Sequence, residues 1–330
     1  MSTSSFVVLV GCHLPFQLAA LGGIGTPALA AAVAEAGGLG MIPGGSPEGV
    51  VAAVRDARAL TTGMLGVNFL VPFVDLEAVD AAGRVAAVVE FFYGDPDPAL
   101  VARAAAGGAA VGWQVGSAAE ARAAVGAGCA YVVAQGIEAG GHVRGTQPLD
   151  EVLAETLGTV AVPVVAAGGV GTRARVVELI AAGAAAVRVG TLFVAAAEAN
   201  AHPDYVAALV AASASDTELT SVFGAHWPDA PHRVLRSAVE AARAHRGATV
   251  ARLGEREIGR FESMPPTRET VGDVRAMALY AGMSVDHVLG VRPAREIVAE
   301  LTGESAFGPT RRLTAPRSGD RDGASLPAGP

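Results

Sequence analysis

Short apolar runs recur along this chain and alternate with longer stretches whose apolar residues fall at helical spacing. Eight runs read as strands: Phe16–Leu21, Gly38–Ile42, Met64–Phe69, Ala86–Phe92, Ala110–Val115, Tyr131–Ala134, Val162–Ala167 and Ala185–Val189. Helices are expected between most of them, at Pro27–Ala36, Pro47–Leu60, Pro98–Ala106, Ser117–Gly126, Asp150–Leu157 and Thr172–Ala182. Pro27, Pro47 and Pro98 stand at first-turn positions behind Thr26, Ser46 and Asp97, and Ser117 with Glu120 has the spacing of a capping box. Several of these stretches stop at glycine, as at Gly37, Gly107 and Gly183. Strands alternating with helices predict a parallel sheet, and eight strands predict a (β/α)8 TIM barrel. An open doubly wound sheet would carry a G-x-G-x-x-G turn after its first strand and an acid closing its second. Gly22-Gly-Ile-Gly25 is glycine-rich, but Met41-Ile-Pro43 stands where the acid belongs.

The rhythm changes after Ala199. Residues 1–200 form the expected barrel. Residues 201–270 read as a small helical second domain inserted over one end of it, with helices at Pro203–Ala212, Ala238–Arg246 and Val250–Glu262. Residues 271–302 read as helices returning to the barrel (Gly272–Ala281, Ser284–His287, Pro293–Leu301), and 303–330, rich in Gly, Pro, Arg, Ser and Asp, as a disordered tail. With 330 residues, 51% hydrophobic and 17% charged, the chain can bury one large core. A net charge of −8 without a basic run argues against a nucleic-acid partner. No uninterrupted apolar stretch approaches the ~18 residues of a spanning helix, so no membrane partner is expected. The run Phe6–Val10 is short for a signal peptide. Cys12 and Cys129 are too few and too far apart for a disulfide framework or a metal motif, which makes a cytoplasmic protein without metal the simple expectation.

Chemistry gathers at three successive strand ends. Gly168 and Gly169 precede a helix starting at Thr172, and Gly190 with Thr191 ends the next strand. Such glycines let backbone N–H groups approach an anion at a helix N-terminus. They also serve as plain turns; two pairs on adjacent strands favour phosphate. Upstream, the glycine-rich loop Gln135-Gly-Ile-Glu-Ala-Gly-Gly-His142 carries one histidine to a strand end, where an imidazole suits proton transfer. His142 is therefore the candidate catalytic residue. His13, His202, His226, His232, His245 and His287 have no comparable setting and read as structural or exposed. Gln135 is placed to bond a heterocycle. Glu138 either steers His142 or caps the loop. Asn68 and Gln17 are polar residues in apolar strands that tie down neighbours or face a ligand. Trp113 reads as core, with a cofactor wall as the other option. Arg188 either neutralises phosphate or forms an outer salt bridge.

Taken together, Gln135-Gly-Ile-Glu-Ala-Gly-Gly-His142, Ala166-Ala-Gly-Gly169 and Val189-Gly-Thr-Leu-Phe193 resemble the signature segments of the nitronate monooxygenases. Pro15-Phe-Gln-Leu-Ala-Ala20, Gly66-Val-Asn68 and Trp227-Pro-Asp-Ala-Pro-His-Arg233 are similar too, so the likeness runs from about residue 15 to 301. The resemblance implies an FMN-containing barrel that oxidises alkyl nitronates with O2 to carbonyl compounds and nitrite. It implies that Gln17, Asn68, Gln135, Gly140, Gly168, Gly169, Gly190 and Thr191 hold FMN and that His142 is the base. The implied partners are a small nitronate, O2 and, as oligomer, a second copy of the chain. Two positions depart from the family: Gln-Leu-Ala-Ala replaces the usual Gln-Ala-Pro-Met, and Arg188 stands where glutamine or methionine is usual. The alternative on the same fold is an FMN- and NAD(P)H-dependent enoyl-[acyl-carrier-protein] reductase. A toxic nitro acid bound by Arg188 through its carboxylate is one candidate substrate.

Overall fold

The computed structural model describes residues 4–303. The expected tail, Gly303 apart, lies outside the described residues. Eight parallel strands close into a barrel: β1 (Phe16–Leu18), β2 (Leu39–Pro43), β3 (Met64–Leu70), β4 (Val88–Phe92), β5 (Ala110–Val115), β6 (Tyr131–Gln135), β7 (Val164–Ala167) and β8 (Ala186–Val189). Closure comes from β1 pairing with β8, with Gln17 opposite Arg188. Each of the eight apolar runs is one of these strands. The expected helices between them are present, and one more lies between β3 and β4, Leu76–Val85. Its Asp75 cap accepts from Glu77 N at 2.9 Å. The capping chemistry works as expected: the Thr26, Ser46, Asp97 and Ser117 side chains all accept backbone N–H groups in the first turn. Small residues let helices sit directly on strands; a Cβ on Gly40 would lie 2.0 Å from the Ala30 carbonyl.

Inward-facing positions form layers, as this fold requires. The lower layer is apolar: Leu39, Met41, Val88, Val133 and Val165 pack with Phe6 and Val10 of a short helix, Ser5–Val10, that plugs the barrel bottom. Phe6 meets the Tyr131 ring edge-on at 5.5 Å. One layer up the interior turns polar, with Gln17, Asn68, Glu90, Gln114 and Arg188. Above that layer the C-terminal strand ends open into a cavity.

After the short helix Thr191–Val194 the chain leaves the barrel and returns only with Ala294–Thr302, which packs against the helices Pro27–Glu35 and Arg173–Ala181. The excursion contains the expected helices, Pro203–Ala211 and Arg236–Ala244, but it is not all-helical. Where Val250–Glu262 was expected as a helix, Thr249–Leu253 and Arg256–Gly259 form a hairpin joined by Gly254-Glu255. Gly254 has φ +58°, the left-handed value such a two-residue turn demands. Gly272 pairs with Ala251 on the same sheet, and only a 3-10 turn, Val274–Ala276, stands where the helix Gly272–Ala281 was expected. Ser284–His287 likewise falls in a 3-10 turn, Met283–His287. Two further strands, Thr217–Thr220 and His232–Leu235, complete a sheet with Gly141–His142 of the barrel loop. No helix among the described residues is long and apolar enough to cross a membrane.

Candidate active site

The cavity at the C-terminal strand ends holds about 670 Å³. Asn68, Gln135, Gly140, His142, Gly168, Gly169, Gly190 and Thr191 all line it. Gln17 does not. It lies beneath, fully buried, donating to Glu90 Oε2 at 3.1 Å and accepting from Arg188 Nε at 3.3 Å. Its place is in the support of the floor rather than in the wall.

The phosphate-type corner is built from backbone. Gly168 (φ +117°) and Gly169 (φ +66°) are left-handed after β7, and a Cβ on Gly168 would come 3.1 Å from the Gly136 carbonyl. The N–H groups of Gly168, Gly169 and Gly190 donate to no acceptor among the described residues. Thr191 Oγ1 accepts from Gly282 N at 3.0 Å, and Gly140 packs so close to that strap that a Cβ would lie 2.4 Å from Gly282 N. The excursion is thus locked onto the barrel rim at the corner itself.

His142 is held by both parts of the molecule. Gly141 turns left-handed (φ +75°), and His142 then pairs with His232 in the antiparallel sheet. Gln135 Nε2 donates to the His142 carbonyl at 3.0 Å. The imidazole lies among rings: Trp227 at 4.2 Å, His232 at 5.3 Å, Tyr280 at 5.7 Å and Tyr93 at 5.8 Å. Burial pushes its pKa down to about 3, and the neighbouring His232 adds to this. His232 is fixed in one tautomer: Phe223 N donates to Nε2 at 3.1 Å, so Nδ1 carries the proton and donates to the Ala230 carbonyl at 2.9 Å. Its own pKa is lowered by burial. Two buried polar atoms here have no partner, His142 Nε2 and Gln135 Oε1. Native interiors rarely leave such atoms unpaired, which points to a ligand that pairs them.

Below the cavity, Glu90 is fully buried and accepts from Asn68 Nδ2 and Tyr131 Oη, both at 2.9 Å, besides Gln17 and Arg188. Arg188 also donates to Gln114. Neither expectation for Arg188 holds: its ion pair is inside the barrel, not on the outer layer, and its guanidinium is engaged by Glu90 rather than free for phosphate or a substrate carboxylate. Glu138 does not reach His142; its carboxylate accepts from Leu149 N at the start of the helix Leu149–Leu157. Trp113 is core, packed on Phe91 at 5.1 Å and donating to the Gly94 carbonyl. Cys12 and Cys129 are buried, and desolvation raises their pKa to about 11 and about 12, so neither is a nucleophile.

Sequence reasoning missed Glu90 and gave no site role to Trp227, Tyr280 or His232, although Trp227 and His232 lie in a segment singled out for its resemblance. Glu90 carried a signal, a lone carboxylate inside Val88-Val-Glu-Phe-Phe92. Trp227 and His232 share the short segment Trp227–Arg233, whose long-range partner no local pattern discloses.

The nitronate monooxygenase family model matches residues 4–84 and 76–304. A nitronate monooxygenase of Pseudomonas aeruginosa is 32% identical over 270 residues, covering 66% of this chain and 76% of the relative. Among solved structures, a nitroalkane oxidase from Streptomyces ansochromogenes superposes with a TM-score of 0.74 at 29% identity, over 92% of this chain and 98% of that one. FabK (M276A) from Thermotoga maritima gives a TM-score of 0.74 at 28% identity, over 93% and 98%.

Proposed function

Because this chain belongs to the nitronate monooxygenase family and is a flavin-dependent oxidoreductase on a TIM barrel, we propose that it binds FMN in the cavity and oxidises alkyl nitronates with O2 to carbonyl compounds and nitrite. The observation that carries this reading is the pair of unpartnered buried atoms, His142 Nε2 and Gln135 Oε1, beside a corner of undirected glycine N–H groups. The residues suit FMN on both counts. Gly168, Gly169, Gly190 and Thr191 would hold the phosphate, with the helix Arg173–Ala181 aiming its N-terminus nearby. Asn68, Gln135 and Gly140 would hold the rest. Bound there, FMN supplies the redox chemistry that couples a nitronate to O2.

The chain's own contribution is positioning and proton control. His142 is kept neutral across ordinary pH, with Nε2 unpaired in the cavity wall. A nitrogen that protonates only near pH 3 is a weak acceptor for the α-proton of a neutral nitroalkane. It is better suited to orienting a nitronate that arrives already deprotonated. Trp227 and Tyr280 close over the imidazole and keep water from it.

The test is aerobic turnover with ethyl nitronate, following O2 uptake and nitrite, beside NAD(P)H oxidation with and without an enoyl thioester. Nitrite release with nitronate favoured over nitroethane supports the proposal. Enoyl-dependent NAD(P)H oxidation without nitrite release would replace it by the reductase reading.

A further inference from the structure

The charge lining the cavity bears on which nitronates it takes. Among the described lining residues, only Asp75 and Arg188 carry a formal charge. Arg188 is spent on the protein itself: its three nitrogens donate to Glu90, Gln17 and Gln114, and Glu90 beneath it cancels its charge. Asp75 is fixed by its cap bonds to Glu77 N at 2.9 Å and Ala78 N at 3.3 Å, so its carboxylate stays at the wall. The wall around the reacting position is aromatic and aliphatic. Trp227 and Tyr280 face the imidazole, and Phe73 meets Trp227 edge-on at 5.0 Å. Leu21, Phe92 and Tyr205 continue that surface.

A nitronate group would meet His142. A second anionic group on the same substrate would lose its water and find no uncommitted cation in the described wall, where the one formal charge left is that of Asp75 at the exposed rim. An alkyl chain, in contrast, would exchange water for apolar contacts at each added carbon. We propose that the cavity is selective for nitronates with an uncharged, apolar chain and discriminates against those carrying a carboxylate. The proposal rests on the nitronate reading given above and names its substrate class.

The experiment compares kcat/KM for ethyl, propyl and butyl nitronate and for propionate 3-nitronate, using the flavin-loaded full chain. The expected result is a rise of about four-fold per methylene, the worth of ~0.8 kcal/mol per buried CH2. Propionate 3-nitronate is expected to fall about ten-fold or more below butyl nitronate. Asp75→Asn keeps a capping side chain while removing the charge, and is expected to narrow that gap. A flat alkyl series, or propionate 3-nitronate equal to or better than butyl nitronate, would overturn the proposal. If none of the four nitronates is oxidised, it is the nitronate reading itself that fails.

Discussion

The imidazole of His142 packs on the indole of Trp227, with ring centroids 4.2 Å apart and planes inclined by 30°. The two residues come from different parts of the chain, one from the barrel loop after β6 and one from the excursion. Their contact is part of the burial of the imidazole, and burial is the main reason the imidazole is held neutral. Replacing Trp227 with alanine admits water to that face. The His142 pKa is then expected to rise by one unit or more toward the ordinary histidine value of 6.5, read by NMR titration of the imidazole. An unchanged titration would show that the indole does not provide the desolvation.

The same shift predicts how stability varies with pH. The folded-state pKa of about 3 lies below the unfolded value of 6.5, so the unfolded chain binds the extra proton between them. The contribution of His142 is therefore full above pH 6.5 and is lost as pH falls toward 3. Denaturant midpoints should drop over that window, and His142→Asn should flatten part of the slope. An equal slope in the variant would assign the acid sensitivity elsewhere.

Glu90 and Arg188 form an ion pair inside the barrel. Glu90→Gln leaves a buried guanidinium without its counter-ion, which typically costs about 3–5 kcal/mol. Replacing both with apolar residues, Glu90→Leu with Arg188→Met, should cost less than the sum of the single changes, as a double-mutant cycle in urea would register. Additive losses would mean that the pair is not coupled.

Gly140→Ala places a methyl group 2.4 Å from Gly282 N, at the strap that Thr191 holds. The strap and the glycine corner must then separate. FMN affinity, followed by flavin fluorescence, should weaken about ten-fold or more for a loss above ~1.4 kcal/mol. Unaltered affinity would remove Gly140 from the cofactor site.

The barrel was legible because each βα unit declares itself locally. Thr26-Pro27, Ser46-Pro47 and Ser117 with Glu120 mark helix starts, and short apolar runs mark strands. The glycines after β7 and β8 and His142 stood out because two pairs on adjacent strand ends, beside one histidine on a glycine-rich loop, are more than plain turns need, and the structure brings them to one cavity. The excursion was not. Its hairpin turns at Gly254-Glu255, and alternating charges in Arg252–Glu257 resemble an exposed helix face as readily as a strand edge. Arg188 was misread because its partner Glu90 lies 98 residues away, across the barrel interior. Trp227 and His232 acquire meaning only when the excursion folds back over β6, a long-range pairing that local pattern does not encode.

The most direct test of the whole account is anaerobic mixing of the flavin-loaded protein with butyl nitronate, in wild type and in His142→Asn. The account predicts that the wild-type flavin bands change on mixing and that nitrite appears once air is admitted. The variant should hold the same amount of flavin and react about 100-fold more slowly, because the nitronate loses the group that orients it. Flavin bands indifferent to the nitronate, or a variant as fast as wild type, would contradict it.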